Sequence, residues 1–471
     1  MQTSPVLNVT KEQHGEPIFP LHLAPFERYM LADDRDDYPM AFVIAVDVTG
    51  ELLRKAFEKA LQAALERHPL LTCLVRRAGL RGLFWTPAPG IRPGLDWKED
   101  DSELACPRGE RIDLAREPGI RVWVRKQSEQ SRITFQFHHS ATDGIGGMQF
   151  IGDLLASYGT FTAEPGQESP EVAPVDESQL PFRNVMEGTA SRFQYVRHAA
   201  RTFYRLLRAV PPPVAIRQLD RRRSGSVRIF PAFLTRTFSR DVHSRLKKLA
   251  AGKSVTPNDL LVWTLFRTVR EWNTLQGAKP GRRILRAAIP VSLRTWQHDQ
   301  MPAANHLSYL FLDQSAETND DESLQAIHLK TGSIMSEPES AAFVTGIGIG
   351  LRVPGLVPAV LKWHPCFASF VMANVGDVKR QFRATFPLNQ GKVVAGNIRL
   401  EALHGAAPVR RNTRLAVSLG VYAGTLIVNV HCDPRCFSQA ESESLTELFA
   451  DNIRALVNEK LLCGTSHESR K

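Results

Sequence analysis

Residues 132–158 constrain the fold of this chain more than any other stretch. Arg132-Ile133-Thr134-Phe135-Gln136-Phe137 alternates polar and apolar positions and predicts a strand. Met148, Ile151, Leu155 and Tyr158 then recur at helical spacing and predict a helix over 145–158. Between them stands His138-His139-Ser140-Ala141-Thr142-Asp143-Gly144, the pattern HHxxxDG. Strand, short loop and helix in this order call for a mixed α/β chain. They also hold two histidines at a strand end, where a side chain is rigid and can still face a channel.

Residue type sets the chemistry. Imidazole titrates near neutrality, so one of the two histidines can take a proton from an alcohol or an amine. The activated acceptor would attack an acyl carbonyl. A thioester is the fitting donor, because its thiolate leaves readily and no serine nucleophile is needed; the chain carries no G-x-S-x-G elbow. Asp143 suits an organising role, binding loop amides or an arginine. Gly144 offers a backbone N–H at a helix start, where partial positive charge can help an oxyanion. Gly146 and Gly147 would let a substrate approach the backbone closely.

Further strands are expected at 40–48 and 120–126, with a helix after Gly50 that Pro69 stops. Residues 160–181 hold four prolines, five acids and no bases, a surface loop or linker. Residues 192–223 reverse the sign, with nine arginines and one acid. There Val196, Ala200, Phe203 and Leu207 fit one helical stripe flanked by Arg197, Arg201, Arg205 and Arg208, and Pro211-Pro212-Pro213 ends the helix. In the second half Thr256-Pro257-Asn258-Asp259 is a capping box with proline in the first turn. Strands are expected at 284–291, 307–312, 393–400, 414–421 and 425–432, and a final helix after Ser438. The chain therefore divides into a first α/β lobe (1–180), a basic inter-lobe segment (181–225) and a second α/β lobe (226–471).

With 471 residues, 43% hydrophobic and 23% charged, the composition excludes wholesale disorder and fibrous architecture. The net charge of +10 is nearly all local, since 192–223 alone carries +8. A reader of nucleic acid is not expected, because no recognition motif accompanies the arginines. The segment points instead to a docking surface for anionic lipid or an acidic carrier protein. Six cysteines without a C-x-x-C pair imply reduced thiols and a cytoplasmic setting, and His431, Cys432 and Cys436 lack the second ligand pair of a zinc site. The N-terminus has no signal-peptide pattern, and the most apolar stretch, 343–375, is broken by Arg352, Lys362, His364 and three prolines.

The HHxxxDG pattern in this setting resembles the CoA-dependent acyltransferase superfamily, which includes chloramphenicol acetyltransferase, peptide-synthetase condensation domains and the wax ester synthase/diacylglycerol acyltransferases. Other segments resemble the same group in the expected order: PLHLAPFERYMLADD near the start, GELLRKAFEKALQAALERHPLLTCLV, the Thr256–Leu261 helix start, Ala288-Ile289-Pro290-Val291-Ser292-Leu293-Arg294 followed by Asn305, and Ala373-Asn374-Val375-Gly376. The resemblance implies two chloramphenicol-acetyltransferase-like lobes, a pseudo-dimer, with an active-site tunnel between them. It implies His139 as general base, with His138, Asp143 and Gly144 completing the catalytic motif and Asp143 structural. Gly147, Asn258, Asn305 and Asn374 become substrate-side or tunnel-wall positions. Many relatives pair the motif aspartate with an arginine after the "hP.L" leucine; here Leu71-Thr72-Cys73 stands there, leaving Arg28, Arg76 or Arg77 as substitutes. The implied reaction is acyl transfer from acyl-CoA or a carrier thioester, as co-substrate with no bound cofactor, to a hydroxyl, including a lipid-like alcohol. The alternatives are a stand-alone condensation-like enzyme making an amide or ester, and a non-catalytic docking module on the same fold.

Overall fold

The computed structural model describes residues 17–79, 82–184, 191–216, 230–278, 284–315, 320–332, 337–363 and 366–463. The first half runs β1 (Leu21–His22), α1 (Pro25–Asp33), β2 (Ala41–Thr49), α2 (Arg54–Arg67), β3 (Leu74–Arg77), β4 (Leu83–Thr86), β5 (Gly94–Lys98), β6 (Ile120–Gln127), β7 (Gln130–His138) and α3 (Gly144–Thr162). After α4 (Arg192–Arg208) come β8 (Leu234–Phe238), α5 (Arg240–Gly252), α6 (Pro257–Leu275), β9 (Ile284–Ser292), β10 (Leu307–Ser315), α7 (Asp320–Gly332), α8 (Glu337–Ser340), α9 (Ala342–Gly350) and α10 (Leu356–Lys362). The chain closes with β11 (Phe370–Asp377), α11 (Val378–Gln381), β12 (Leu388–Asn389), β13 (Lys392–Ala395), β14 (Ile398–Ala406), β15 (Leu415–Tyr422), β16 (Thr425–Cys432) and α12 (Gln439–Cys463). The basic segment beyond 216, including Arg221 to Arg223, lies outside the described residues.

Two large sheets organise these elements, one in the order β12-β13-β14-β2-β7-β6-β5 and the other in the order β10-β9-β11-β15-β16-β8. The β-branched and aromatic side chains of β2, β6 and β7 alternate so that Phe42, Ile44, Val46, Val122, Ile133 and Phe135 share one core with Phe57 and Leu61 of α2 and Ile151 and Leu155 of α3. On the second sheet, Phe370, Val417 and Val428 pack under Leu246 of α5, Phe266 of α6 and Phe449 and Ile453 of α12. A third cluster joins Phe26 and Met30 of α1, Leu206 of α4, Phe343 and Ile347 of α9 and Leu361 of α10. At about 1.5–3 kcal/mol for each fully buried large apolar side chain, these cores are what hold the sheets and helices in place.

The stretch 393–400, read from the sequence as one strand, is broken in two. Gly396 adopts φ +58° and turns the chain between β13 and β14, so that Ala395 pairs antiparallel with Ile398. A Cβ at Gly396 would meet Thr162 Oγ1 at 2.0 Å, so the close approach of α3 reinforces the need for glycine. β14 then pairs with β2, with Arg399 opposite Thr49 and Ala406 opposite Val43. The second half thus lends β12, β13 and β14 to the first sheet. A single division of the chain near residues 180–226 separates 388–406 from the sheet that they complete.

The helix 192–208 forms as expected, with Ser191 as its cap. Its buried positions are Ala199 and Leu206, and Phe203 stacks on Phe343 with ring centroids 5.6 Å apart. Of the apolar stripe, Val196 and Leu207 face solvent at 42% and 69% exposure.

Candidate functional site

His138 is the last residue of β7 and His139 the first beyond it, so strand alternation sends the two rings to opposite sides. The His138 ring is fully buried: Nδ1 accepts the Ser140 N–H (3.0 Å), and Nε2 lies 3.5 Å from Asp34 Oδ2. Burial raises the Asp34 carboxyl, but contacts with His138 and Arg111 outweigh it and hold the group below the usual carboxylate range. His138 does not line the cavity described below. It belongs to the framework under the loop.

His139 does line that cavity, which has a volume of about 210 Å³ and lies between the two sheets. Walls come from β2 (Phe42, Ile44), the first turns of α3 (Gly144, Met148), β10 (Tyr309, Phe311), and β14 with the chain after it (Leu403, Pro408). The His139 backbone is fixed on both sides, its N–H donating to Met40 O (2.8 Å) and its carbonyl accepting from Asn305 Nδ2 (2.5 Å). The ring leans on Phe42 with centroids 5.1 Å apart, and Asn305 Nδ2 lies 3.3 Å from its Nδ1. Nε2 has no protein partner among the described residues. Burial pushes the His139 imidazole down to about 4, with Asp143 opposing only in part. It is therefore neutral at physiological pH.

Asp143 is 1% exposed and caps α3. Oδ1 accepts the Gly146 N–H at 2.8 Å, while Oδ2 accepts the His306 N–H at 2.9 Å and Arg294 Nη1 at 2.7 Å. Burial raises its carboxyl, but Arg294 and these bonds override that and hold the group ionised. The arginine partner is Arg294, from the loop after β9, and none of Arg28, Arg76 and Arg77. Arg76 and Arg77 are exposed, with Arg76 bonded to Ala115 O, and Arg28 makes no contact with Asp143. Arg294 also donates to Ala304 O (2.8 Å), and His68 Nδ1 accepts the Ala303 N–H (2.8 Å), so the segment 303–306 is pinned against the HHxxxDG loop.

The other expected site residues divide. Gly144 lines the cavity. Gly147 does not: a Cβ there would press on Ile44, Phe42 and Phe137 at 3.2–3.4 Å, so its smallness serves helix-to-sheet packing, not substrate approach. Asn305 is 1% exposed and touches His139 instead of the cavity, a positioning contact. Asn374 lines the cavity and donates to Asn258 Oδ1 (2.9 Å), which puts Asn258 one residue behind the wall. Ala373 also lines it. His431 is bonded to Ala407 O and Cys436 to Asp433, and among the described residues no group of three or more His, Cys, Asp or Glu is placed to hold a metal ion. No helix among them is long and apolar enough to cross a membrane.

One cavity-wall group has no sequence signal beyond an ordinary basic doublet. Arg410 reaches Asp33 Oδ2 with Nε (2.9 Å), donates through Nη1 to the Tyr29 hydroxyl, and lies over the Tyr29 ring at 5.0 Å. Burial pushes the Tyr29 hydroxyl up, so it stays protonated. The Asp33–Arg410 pair thus leaves a nearly neutral polar spot in a mostly apolar wall.

No family model matches the chain. An uncharacterized protein of Mycobacterium tuberculosis, Rv2305, is 25% identical over 356 residues, which is 73% of this chain and 77% of that protein. A linear gramicidin synthase of Brevibacillus parabrevis is 26% identical over 340 residues, covering 60% of this chain and 4% of that protein. Among solved structures, the trichothecene 15-O-acetyltransferase of Fusarium sporotrichioides superposes with a TM-score of 0.65 at 12% identity, covering 92% of this chain and 94% of its own. The starter condensation domain of rhizomide synthetase, solved in complex with C8-CoA, gives 0.64 at 12% identity over 93% and 94%. Two sheets facing one cavity, with the HHxxxDG loop at its wall, are thus the two-lobed fold of condensation domains and acetyltransferases, the CoA-dependent acyltransferase fold.

Proposed function

We propose that this chain transfers an acyl group from a thioester to a hydroxyl acceptor, with His139 as general base. The observation that carries the reading is the His139 imidazole: neutral, fixed through Asn305 and Met40, and with Nε2 free at the cavity wall. The reaction uses the neutral tautomer with its proton on Nδ1 and a lone pair on Nε2. Nε2 takes the acceptor's O–H proton as the oxygen attacks the thioester carbonyl carbon. The tetrahedral oxyanion lies near the Gly144 N–H and the positive end of α3. Collapse breaks the C–S bond, and the imidazolium returns its proton to the leaving thiolate, so the products are an ester and a free thiol. Asp143 takes no proton in this scheme, because its oxygens are already occupied by Gly146, His306 and Arg294.

Acyl-CoA is the donor that this reading favours, as co-substrate without a bound cofactor; the starter condensation domain of similar fold was solved with C8-CoA. The mostly apolar walls suit an acyl chain and a lipid-like alcohol. A second reading, amide or ester formation from a carrier-bound thioester, is favoured by the similarity to linear gramicidin synthase. The test is free-thiol release with acyl-CoA and a panel of long-chain alcohols, diacylglycerol and amines. His139→Ala should lower turnover by about 10²–10⁴-fold with the fold intact. Turnover unchanged in that variant would remove the assigned base. Release with amines alone would favour the second reading.

A further inference from the structure

The cavity uses none of the arginines of α4, and the packing of that helix gives them another setting. Phe203 stacks on Phe343 and closes over Gly346, where a Cβ would come within 2.1 Å of its ring. That contact fixes one face of α4 on α9 and leaves the opposite face outward. Phe193, Tyr204 and Leu207 are 73%, 65% and 69% exposed there, interleaved with exposed Arg197, Arg201 and Arg208. Neither these three arginines nor Arg352 and Lys362 meet a carboxylate among the described residues. The neighbouring α9–α10 segment repeats the chemistry: Val353 is 54% and Trp363 84% exposed, beside exposed Arg352 and Lys362. From Ala341 to Gly376, and from Ser191 to Ile216, the sequence contains no Asp or Glu.

Large apolar side chains left in water beside unpaired cations are a cost to the isolated protein that packing does not offset. We infer that the face formed by α4 and the α9–α10 segment docks on an anionic lipid surface. Aromatic and aliphatic side chains enter the boundary between headgroups and acyl chains, Trp363 sits at the headgroup level, and the arginines reach lipid phosphates along their apolar stems. The absence of acids is the charge complement of such a surface, where each added basic residue strengthens binding about fivefold. This inference does not depend on the transfer chemistry, and its test uses no substrate.

Flotation of the full-length protein with phosphatidylcholine vesicles, with and without phosphatidylserine, measures it. Partition should rise steeply with phosphatidylserine and fall with added salt. Arg197→Gln, Arg201→Gln and Arg208→Gln together should weaken that partition roughly a hundredfold. Trp363→Ser should remove a blue shift of tryptophan emission on vesicle addition. All four positions are exposed, so both variants should keep the wild-type melting temperature. Equal partition to neutral and anionic vesicles, or binding indifferent to both variants, would overturn the inference. So would capture of an acidic acyl carrier protein, lost in the arginine variant, with no vesicle binding.

Discussion

Asp143 and Arg197 stand in opposite electrostatic settings. Asp143 is buried, accepts from Gly146, His306 and Arg294, and joins the HHxxxDG loop to a segment more than a hundred and fifty residues away. Arg197, with Arg201 and Arg208, faces solvent and finds no carboxylate among the described residues. The first region uses its polar groups to fix geometry, so the free valence at its end, His139 Nε2, has a definite position. The second leaves its charges open, which suits an outside surface.

The contrast predicts a graded series of effects. Asp143→Ala would leave the Arg294 guanidinium, only 10% exposed, without its counter-charge and would uncap α3; the loss should be about 3–5 kcal/mol in chemical denaturation. Stability within 1 kcal/mol of wild type would mean that the clamp is dispensable. Asn305→Ala removes one bond to the His139 carbonyl, a net contribution of about 0.5–1.5 kcal/mol. It should lower kcat about tenfold or less with little change in KM, because the residue positions the base without touching substrate. A larger effect on KM would place Asn305 in the substrate path. The triple arginine variant on α4 should change stability by less than about 0.5 kcal/mol, as exposed unpaired charges do. A larger loss would reveal partners for these arginines and weaken the contrast itself.

Much of the fold and site is legible in the sequence because the signals are local. The strand entering His138, the Asp143 cap and the Thr256–Asp259 capping box each depend on residues within one turn of each other, and all three form as expected. What escapes depends on distance or on rotation. Arg294 lies within a segment of recognisable pattern, but nothing local says that it crosses to Asp143, where Arg76 and Arg77 are equally plausible by charge. The turn at Gly396 hides in an apolar run, and the pairing of β14 with β2 joins residues some three hundred and fifty positions apart. On α4 the apolar residues occupy two faces, so periodicity alone identifies the helix without choosing the buried side. The Phe203–Phe343 stack makes that choice.

The most direct test of the central claim, that a neutral His139 takes the acceptor's proton, is the pH dependence of kcat/KM for thiol release. Burial has lowered the imidazole, so the base is unprotonated above about 4 and is lost only as pH falls through that value. The account predicts a constant kcat/KM from neutrality down to about pH 5, and a fall centred near pH 4 that is absent from the residual activity of His139→Ala. A fall centred near pH 6.5, the ordinary value for a solvated imidazole, would contradict it.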